Sequence, residues 1–314
     1  MNSRRFGFID IGTNTILCLI AELQDDGSFA VLDDLAEITR LGAGVARNGF
    51  IGIEGEERTR KTLRRYLDRC QSLQVQKVRA VGTSALRDAQ NSAEVRARFK
   101  EQLGIEVRVI SGDEEAAYSF WAVQRGLPLN GRELLVIDVG GGSTEFIRGN
   151  LAGISQAVSI DIGSVRLTEK FLHSDPVRNE EYERMMGSIE KELGSLPQPW
   201  LKDSSKLTPV GIAGTFTTLS AVEKKLLRYT HGEVHGSSLA LSEVQRQIAL
   251  FKSNTIAERR TIPGIEPNRA DVILAGACII EKIMNLFHAG KVIVSDHGVR
   301  YGLLHECLKQ QLNC

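Results

Sequence analysis

A chain of 314 residues is too long for one ordinary compact domain and suits two domains of roughly 100–200 residues each. Its 39 Lys and Arg balance 39 Asp and Glu, so no overall field recruits nucleic acid or a membrane. No apolar run approaches the roughly 18 residues of a bilayer span, and the five scattered cysteines lack a CxxC pair. We therefore expect a cytoplasmic protein without a disulfide framework or a thiolate metal site.

The first part of the chain alternates predicted strands with predicted helices, which indicates an α/β fold. Apolar residues at i, i+3, i+4 and i+7, from Leu63 to Cys70, predict an amphipathic helix. Asn91 and Glu94 predict a capping box at the start of another. In chain order, strands are predicted over residues 6–11, 16–22, 29–35, 77–81 and 107–111, and helices over 56–73, 91–103 and from Asp113.

Residues 124–133 (QRGLPLNGRE) contain two glycines and a proline with little periodicity, so this segment is the best linker candidate. We therefore predict two domains, residues 1–124 and 125–314, with the last helix able to pack back on the first. In the second domain, strands are predicted over 134–139, 144–148, 154–160, 209–213 and 291–295. Helices are predicted over 165–173, 179–196, 215–227, 244–251 (with a capping box of Ser242 and Gln245), 269–287 and from Val299.

Two segments share one design: IDIGTNT (residues 9–15) and IDVGGGST (residues 137–144). In each, an apolar strand ends in Asp, turns on glycine, and continues through hydroxyl residues into the next strand. Such a turn presents backbone N–H groups beside a carboxylate, and these amides can cradle phosphate oxygens while the carboxylate holds Mg²⁺. The repetition favours phosphate binding over two unrelated structural turns, and it predicts a pseudo-repeat of two lobes.

A third strand–glycine–helix junction is present in GIAGTFTTL (residues 211–219). This arrangement aims a helix N-terminus at an anion, although a well-packed turn would show the same pattern. The chain contains neither GxxxxGK[ST] nor GxGxxG, so neither a Walker loop nor a dinucleotide-binding fold is supported.

These motifs are accompanied by AVGTSALRDA (80–89), ISGDEEAAY (110–118), VRLTEKF (165–171), IPGIEPNRADVILAG (262–276) and VSDHGVRYGLL (294–304). As a set and in this order they resemble the exopolyphosphatase/guanosine pentaphosphatase (Ppx/GppA) family over essentially the whole chain. The resemblance implies two ribonuclease-H-like lobes of the actin and sugar-kinase superfamily around an interlobe cleft. It also implies the short form, without the C-terminal helical domain of longer members.

The resemblance assigns the catalytic base to Glu115, which would orient and deprotonate the attacking water. The competing interpretation is that residues 113–115 are first-turn acids favoured by the helix dipole. The resemblance also implies Mg²⁺, or Mn²⁺, held by Asp10, Asp138 and Glu145. The phosphate-binding residues that it implies are Gly12, Thr13, Asn14, Thr15, Arg87, Gly141, Gly142, Ser143, Thr144, Gly214 and Thr215. Arg166 and Arg269 fall within its signatures, where a helix-start salt bridge is nearly as good an explanation.

Three positions depart from the family pattern. Leu17 and Ala117 stand where relatives often carry a cation, and Tyr301 stands where the last motif usually has Glu. The first two substitutions remove positive charge that would hold a polyanion, so we expect a preference for short polyphosphates.

Two further motifs resemble functional sites but are better explained otherwise. HGEVH (residues 231–235) spaces histidines at i and i+4, but Gly232 weakens a helix and the Glu is misplaced for a zincin. His235 and Gly236 instead resemble a family turn, which disfavours metal binding. IDIG recurs at residues 160–163, but Asp161 leads directly into a helix and is interpreted as a cap or connector.

The leading functional hypothesis is hydrolysis of the terminal phosphate of inorganic polyphosphate, with guanosine pentaphosphate as the alternative substrate. An ATP-dependent kinase or ATPase of the same superfamily is a second class, and it requires an adenosine pocket near residues 211–218. A phosphate sensor without catalysis is a third class, which Glu115 disfavours. The sequence leaves a homodimer open.

Overall fold

The computed structural model describes residues 4–129, 131–200 and 206–312. The described chain divides into two compact units, one formed by residues 4–122 with 299–312 and the other lying between Val123 and Gly298. The division predicted after residue 124 falls inside a helix, Gly112–Gly126. Gln124 and Arg125 are good helix formers, and they extend that helix into the predicted linker as far as Gly126.

The predicted strands and helices occur in the predicted order in the described residues, together with one three-residue strand and four helices of four or five residues that the sequence did not predict. The strands are β1 Arg5–Ile11, β2 Thr15–Leu23, β3 Phe29–Ile38, β4 Lys77–Gly82, β5 Val107–Val109, β6 Leu134–Val139, β7 Thr144–Asn150, β8 Gly153–Ile160, β9 Thr208–Ile212, β10 Ser238–Ala240 and β11 Lys291–Val294. The helices are α1 Val45–Asn48, α2 Ile53–Ser72, α3 Ser84–Asp88, α4 Ser92–Leu103, α5 Gly112–Gly126, α6 Ser164–Phe171, α7 Asn179–Leu193, α8 Ala213–Glu223, α9 His231–Val234, α10 Leu241–Ser253, α11 Ile256–Arg259, α12 Ile273–Leu286 and α13 Val299–Leu312.

Each unit is built on one mixed sheet, and the two sheets share a topology. The order in the first unit is β3-β2-β1-β4-β5, with β1, β4 and β5 parallel and β2 and β3 antiparallel to their neighbours. In the second unit β8-β7-β6-β9-β11 repeats that pattern, and β10 is added antiparallel at the edge. This is the ribonuclease-H-like arrangement of actin-like proteins, so the predicted α/β fold class and the pseudo-repeat are confirmed.

The first sheet is covered on both faces, which explains why its central strand is an almost continuous apolar run. On one face, Ile9 and Ile11 of β1 belong to a core with residues of α2 and α4. On the other face, Phe6 and Phe8 belong to a core with residues of α5 and α13. The C-terminal helix α13 is therefore part of the first unit, and the second unit has its own core around β6, α8 and α12.

Two predicted capping boxes are wrong. The side chain of Asn91 does not cap α4; it exchanges hydrogen bonds of 2.9 and 3.0 Å with the backbone of Ile51. Helix α10 begins at Leu241, before Ser242, and its N-cap residue Ala240 offers no side-chain acceptor. In the described part of the chain, no helix combines the length and the hydropathy needed to cross a bilayer.

Candidate active site

The first predicted phosphate hairpin joins β1 to β2. The amide of Gly12 donates to the carbonyl of Thr15 at 3.0 Å, and a Cβ on Gly12 would lie 2.9 Å from that oxygen. A side chain at position 12 would thus displace the turn, so glycine is required here for close backbone approach.

The carbonyls of this turn are held by the segment that follows β3. Asn14 accepts from the amides of Thr39 and Arg40 at 3.0 and 2.9 Å, and Thr13 accepts from the amide of Gly42 at 2.9 Å. A trans peptide places its C=O and the next N–H on opposite sides. The amides of Asn14 and Thr15 therefore point away from residues 39–42, which is the orientation that a phosphate cradle needs.

Asp10 is the last-but-one residue of β1 and lies directly before this turn. Its Oδ1 is inaccessible to solvent and has no hydrogen-bond partner among the described residues. Burial raises the pKa of this carboxyl to about 6, while the charge of Arg300 acts in the opposite direction. A buried carboxylate oxygen without a partner is destabilising by itself and suits a bound cation.

Glu115 lies in the first turn of α5 and is 8% exposed. Its Oε2 accepts a hydrogen bond of 2.9 Å from Nη1 of Arg87, and the same nitrogen donates to the carbonyl of Ile110 at 3.1 Å. Arg87 lies on α3, which begins directly after Thr83 at the end of β4. Since Ile11 pairs with Gly82, the ends of β1 and β4 that lead to the hairpin and to Arg87 are neighbours in the sheet.

The three consecutive acids at residues 113–115 have different environments. Glu114 forms a capping box with Ser111, accepting from its amide at 2.9 Å while its own amide donates to the Ser111 hydroxyl at 3.1 Å. The hydrogen bond from the Ser111 amide, together with Arg108, lowers the pKa of Glu114. Asp113 is exposed. The dipole interpretation thus fits Glu114 and Asp113, whereas Glu115 is buried and paired with Arg87.

The second predicted phosphate hairpin joins β6 to β7 and repeats the first. The amide of Gly140 donates to the carbonyl of Ser143 at 3.0 Å. Helix α6 begins against this turn, and its amides at Ser164, Val165 and Arg166 donate to the carbonyls of Gly140 and Gly141 at 3.0 Å. Nε of Arg166 donates to the carbonyl of Gly142 at 2.7 Å, which gives that arginine a positioning contact with the loop.

These contacts orient the glycine turn in the same way as in the first hairpin. With the carbonyls of residues 140–142 directed at α6, the amides of Gly141, Gly142 and Ser143 point away from it. A Cβ on Gly163 would overlap the backbone of Gly141, so the glycine at the start of α6 permits the close packing. The hydroxyl of Thr144 donates to the carbonyl of Ile162 at 2.7 Å and thus serves the loop structure.

Two predicted metal ligands lie opposite each other at the end of this hairpin. Asp138 of β6 pairs in register with Glu145 of β7, so both side chains extend from the same face of the sheet. Glu145 is 2% exposed, and its Oε1 accepts a hydrogen bond of 2.7 Å from the hydroxyl of Ser159 on β8. Two facing carboxylates, one of them oriented by a neighbouring strand, fit a hard divalent cation such as Mg²⁺.

The third predicted junction, at Gly214 and Thr215, begins α8 beside β6. Ile212 pairs with Asp138, and the buried hydroxyl of Thr215 donates to the carbonyl of Val139 at 3.2 Å. Gly214 lies against the guanidinium of Arg269, which would clash with any Cβ at that position. The absence of a side chain at Gly214 therefore permits the close approach of Arg269 to the start of α8.

A buried ion pair in the first unit joins α13 to β3. Arg300 of α13 makes two hydrogen bonds of 2.8 and 3.0 Å to Asp34 of β3, and the Tyr301 hydroxyl donates to Asp34 at 3.0 Å. Both partners of the ion pair are almost fully buried. This contact explains why Tyr301 replaces the glutamate of the family pattern, because a glutamate there would place a second carboxylate against Asp34. No spacing rule connects residues 34 and 301, so the sequence held no signal for this contact.

Two ribonuclease-H-like units, each with an aspartate beside a glycine turn, define a protein of the actin-like fold. The Ppx/GppA phosphatase family matches residues 19–311, and the chain belongs to that family.

The similarity extends to individual proteins. The chain is 33% identical over 314 residues to exopolyphosphatase 2 of Mycobacterium tuberculosis, covering 95% of this chain and 97% of that protein. It is 35% identical to the crystal structure of the Aquifex aeolicus member of the Ppx/GppA family, with a TM-score of 0.80 and 98% of each chain covered. It is also 35% identical over 309 residues to the bifunctional 3-dehydroquinate synthase/phosphatase of Fusobacterium nucleatum. There the match covers 95% of this chain and 46% of that protein, so the chain spans about half the length of this relative.

Proposed function

We propose that this protein is a hydrolase that removes the terminal phosphate of inorganic polyphosphate. The observation that carries the proposal is the β6–β7 hairpin, where Asp138 faces Glu145 beside three amides directed away from α6. Amides can bind phosphate oxygens, and facing carboxylates can bind the cation that accompanies them. The name of the Mycobacterium tuberculosis relative supports polyphosphate as the substrate.

The residues present fit a divalent cation. Asp138 and Glu145 would hold Mg²⁺ or Mn²⁺ in the second unit, and Asp10 offers a further carboxylate in the first, where its buried Oδ1 has no hydrogen-bond partner among the described residues. When bound, such a cation neutralises charge on the phosphate oxygens. In the second unit, the amides of the glycine turn would position a phosphate, with Arg269 against the start of α8.

In this proposal Glu115 acts as general base. It would orient a water molecule and accept its proton as the water oxygen bonds to the terminal phosphorus. The bond from that phosphorus to the bridging oxygen breaks, and the shortened polyphosphate leaves with the electron pair. Arg87 holds Glu115 in position through the hydrogen bond of 2.9 Å.

A substrate panel tests the reaction class. Purified protein is incubated with polyphosphate, guanosine pentaphosphate or ATP in Mg²⁺, and the released phosphate is measured. We expect the highest kcat/KM for polyphosphate, with activity lost in EDTA and restored by Mg²⁺ or Mn²⁺. Higher efficiency on guanosine pentaphosphate would assign the alternative substrate, and ATP turnover alone would indicate a kinase or ATPase. Full activity in excess EDTA would exclude the role given to the cation.

A variant pair tests Glu115. Glu115→Gln keeps the shape of the side chain but removes its basicity, so kcat should fall by roughly 10²–10⁴ while substrate still binds. Glu114→Gln is the matched control, because it makes the same change one residue away in a side chain that caps the helix. We expect this control to keep near-native turnover. Equal losses in both variants would indicate damage to α5 and would contradict the assignment of Glu115.

A further inference from the structure

Three of the six histidines of the chain surround a single buried aspartate in the second unit. Asp296 follows β11 and is 7% exposed, and His297 is the next residue. His231 and His235 come from the first residue of α9 and the position just after its end. The motif HGEVH thus acquires a partner 61 residues further along the chain, which its own spacing did not reveal.

The imidazole nitrogens converge on the two oxygens of Asp296. Nδ1 of His235 lies 3.0 Å from Oδ1, and Nε2 of His297 lies 3.7 Å from the same oxygen. Nδ1 of His231 contacts Oδ2. One potential ligand atom from each of His235, Asp296 and His297 lies within 4.8 Å of the others. In a tetrahedral zinc site with bonds of about 2.0–2.1 Å, neighbouring ligand atoms are about 3.3 Å apart, between the two distances observed here.

The surroundings orient His235 as a metal ligand is usually oriented. Its Nε2 lies 2.9 Å from the carbonyl of Gly126, so this nitrogen carries the proton and donates it. In the neutral ring the lone pair is then on Nδ1, which faces Asp296. The ring of His235 stacks on that of His297 at 4.1 Å between centroids, which holds both rings against the same carboxylate. The backbone amide of His297 donates to the Ser295 hydroxyl at 3.1 Å and fixes the turn that carries the second ring.

We propose that His235, Asp296 and His297 bind a divalent transition-metal ion, Zn²⁺ being the best match. Imidazole nitrogen with one carboxylate oxygen is a donor set that suits zinc, whereas Mg²⁺ prefers oxygen ligands alone. The site differs from the Asp138 and Glu145 pair. Strand β9 separates β11 from β6, so the two strand ends are about 10 Å apart at one edge of the sheet.

The role that we assign to this ion is structural. Gly126 ends α5 just after the chain enters the second unit, and His297 precedes Gly298, the last residue before the chain leaves it. A Cβ at Gly126 would clash with His297, so the end of α5 and the segment after β11 are tightly packed. An ion at Asp296 would join the end of α9 to the segment that follows β11. Metal binding should therefore raise the melting temperature of the protein.

Zinc binding is tested in saturating Mg²⁺, which occupies the carboxylate site. Metal-free protein is titrated with Zn²⁺, and bound equivalents are measured by elemental analysis and the melting temperature by calorimetry. We expect one saturable equivalent and an increase in melting temperature of several degrees. His297→Ala and Asp296→Asn should weaken binding at least about tenfold.

Two controls locate the ion. His173→Ala removes an exposed histidine of the same unit, and Glu145→Gln alters the proposed Mg²⁺ site; both should bind Zn²⁺ as the wild type does. Circular dichroism checks that His297→Ala and Asp296→Asn both fold. If Asp296→Asn does not fold, His297→Ala alone tests the loss of Zn²⁺ binding. Absence of saturable Zn²⁺ binding, or unchanged binding in His297→Ala, would overturn the proposal. The cluster would then be a hydrogen-bonded network of histidines on an aspartate.

Discussion

The two hairpins that begin the two units have the same backbone but different chemistry. Each closes its turn with an amide-to-carbonyl hydrogen bond of 3.0 Å, from Gly12 to Thr15 and from Gly140 to Ser143. Each places an aspartate one residue before the end of the first strand. The residues that face these aspartates differ, since Asp138 faces Glu145 and Asp10 faces Leu17 at the equivalent register.

This difference assigns unequal tasks to the two turns. In the second unit, two carboxylates share one end of a hairpin, and one of them is oriented by Ser159. In the first unit, a single carboxyl lies beside an apolar residue, and burial raises its pKa to about 6. A repeated backbone motif can therefore cradle phosphate twice while only one copy carries a paired set of metal ligands. Leu17, which departs from the family pattern, occupies the position in the first hairpin that Glu145 occupies in the second.

Among changes to the two hairpins, the largest effect on activity is expected from the paired carboxylates of the second. Asp138→Asn or Glu145→Gln removes one charge from the proposed cation site, so kcat on polyphosphate in Mg²⁺ should fall by roughly 10²–10³. Steady-state kinetics over a Mg²⁺ titration measures the loss. Asp161→Asn is the matched control, because its exposed side chain lies in the recurring IDIG sequence outside the hairpin. Similar losses in this control would contradict the assignment.

The next prediction concerns the stability of the first hairpin without metal. The pKa of Asp10 is about 6 in the folded protein against 3.8 for the ordinary side chain, so the folded state binds this proton more tightly. Stability should therefore fall as pH rises from about 4 through 6. Asp10→Asn removes the buried charge, so we expect it to increase the free energy of unfolding by up to about 3 kcal/mol at pH 8. The gain should disappear below pH 4.

Denaturant unfolding in EDTA at pH 4, 6 and 8 measures this effect. Asp34→Asn is the contrasting variant of the same unit, because its carboxylate is held by Arg300 and Tyr301. That variant should lose stability at pH 8, since it leaves Arg300 buried without its counter-charge. An Asp10→Asn protein no more stable than the wild type at pH 8 would show that burial does not strain this carboxyl.

The smallest expected effect concerns substrate length and tests Leu17 directly. Zero formal net charge and an apolar residue facing Asp10 offer little attraction to a long polyanion, so the wild type should favour short polyphosphates. Leu17→Arg should lower KM for long chains several-fold, mainly at low salt, with Leu17→Met as the uncharged control. Kinetics on chains of defined length measures both variants. Wild-type efficiency that rises steadily into the hundreds of units would reveal a basic track elsewhere.

Sequence alone was sufficient for the architecture and for the candidate residues. Periodicity and glycine turns predicted the strands of both sheets other than the three-residue β10, because alternation and tight turns are local properties of the chain. The likeness of IDIGTNT and IDVGGGST predicted the repeat that the two sheet orders confirm. Errors fell at helix ends, where Asn91 bonds to Ile51 rather than capping α4, because a tertiary partner competed with the local one.

Only the tertiary structure decided which of the candidate side chains meet. It separated Glu115, paired with Arg87, from Glu114, which caps the same helix. It brought Arg300 to Asp34, 266 residues away, and Asp296 to His231, 65 residues away. It also placed Leu17 opposite Asp10. Such contacts depend on strand register and on the packing of distant segments, and no local pattern in a single sequence encodes them.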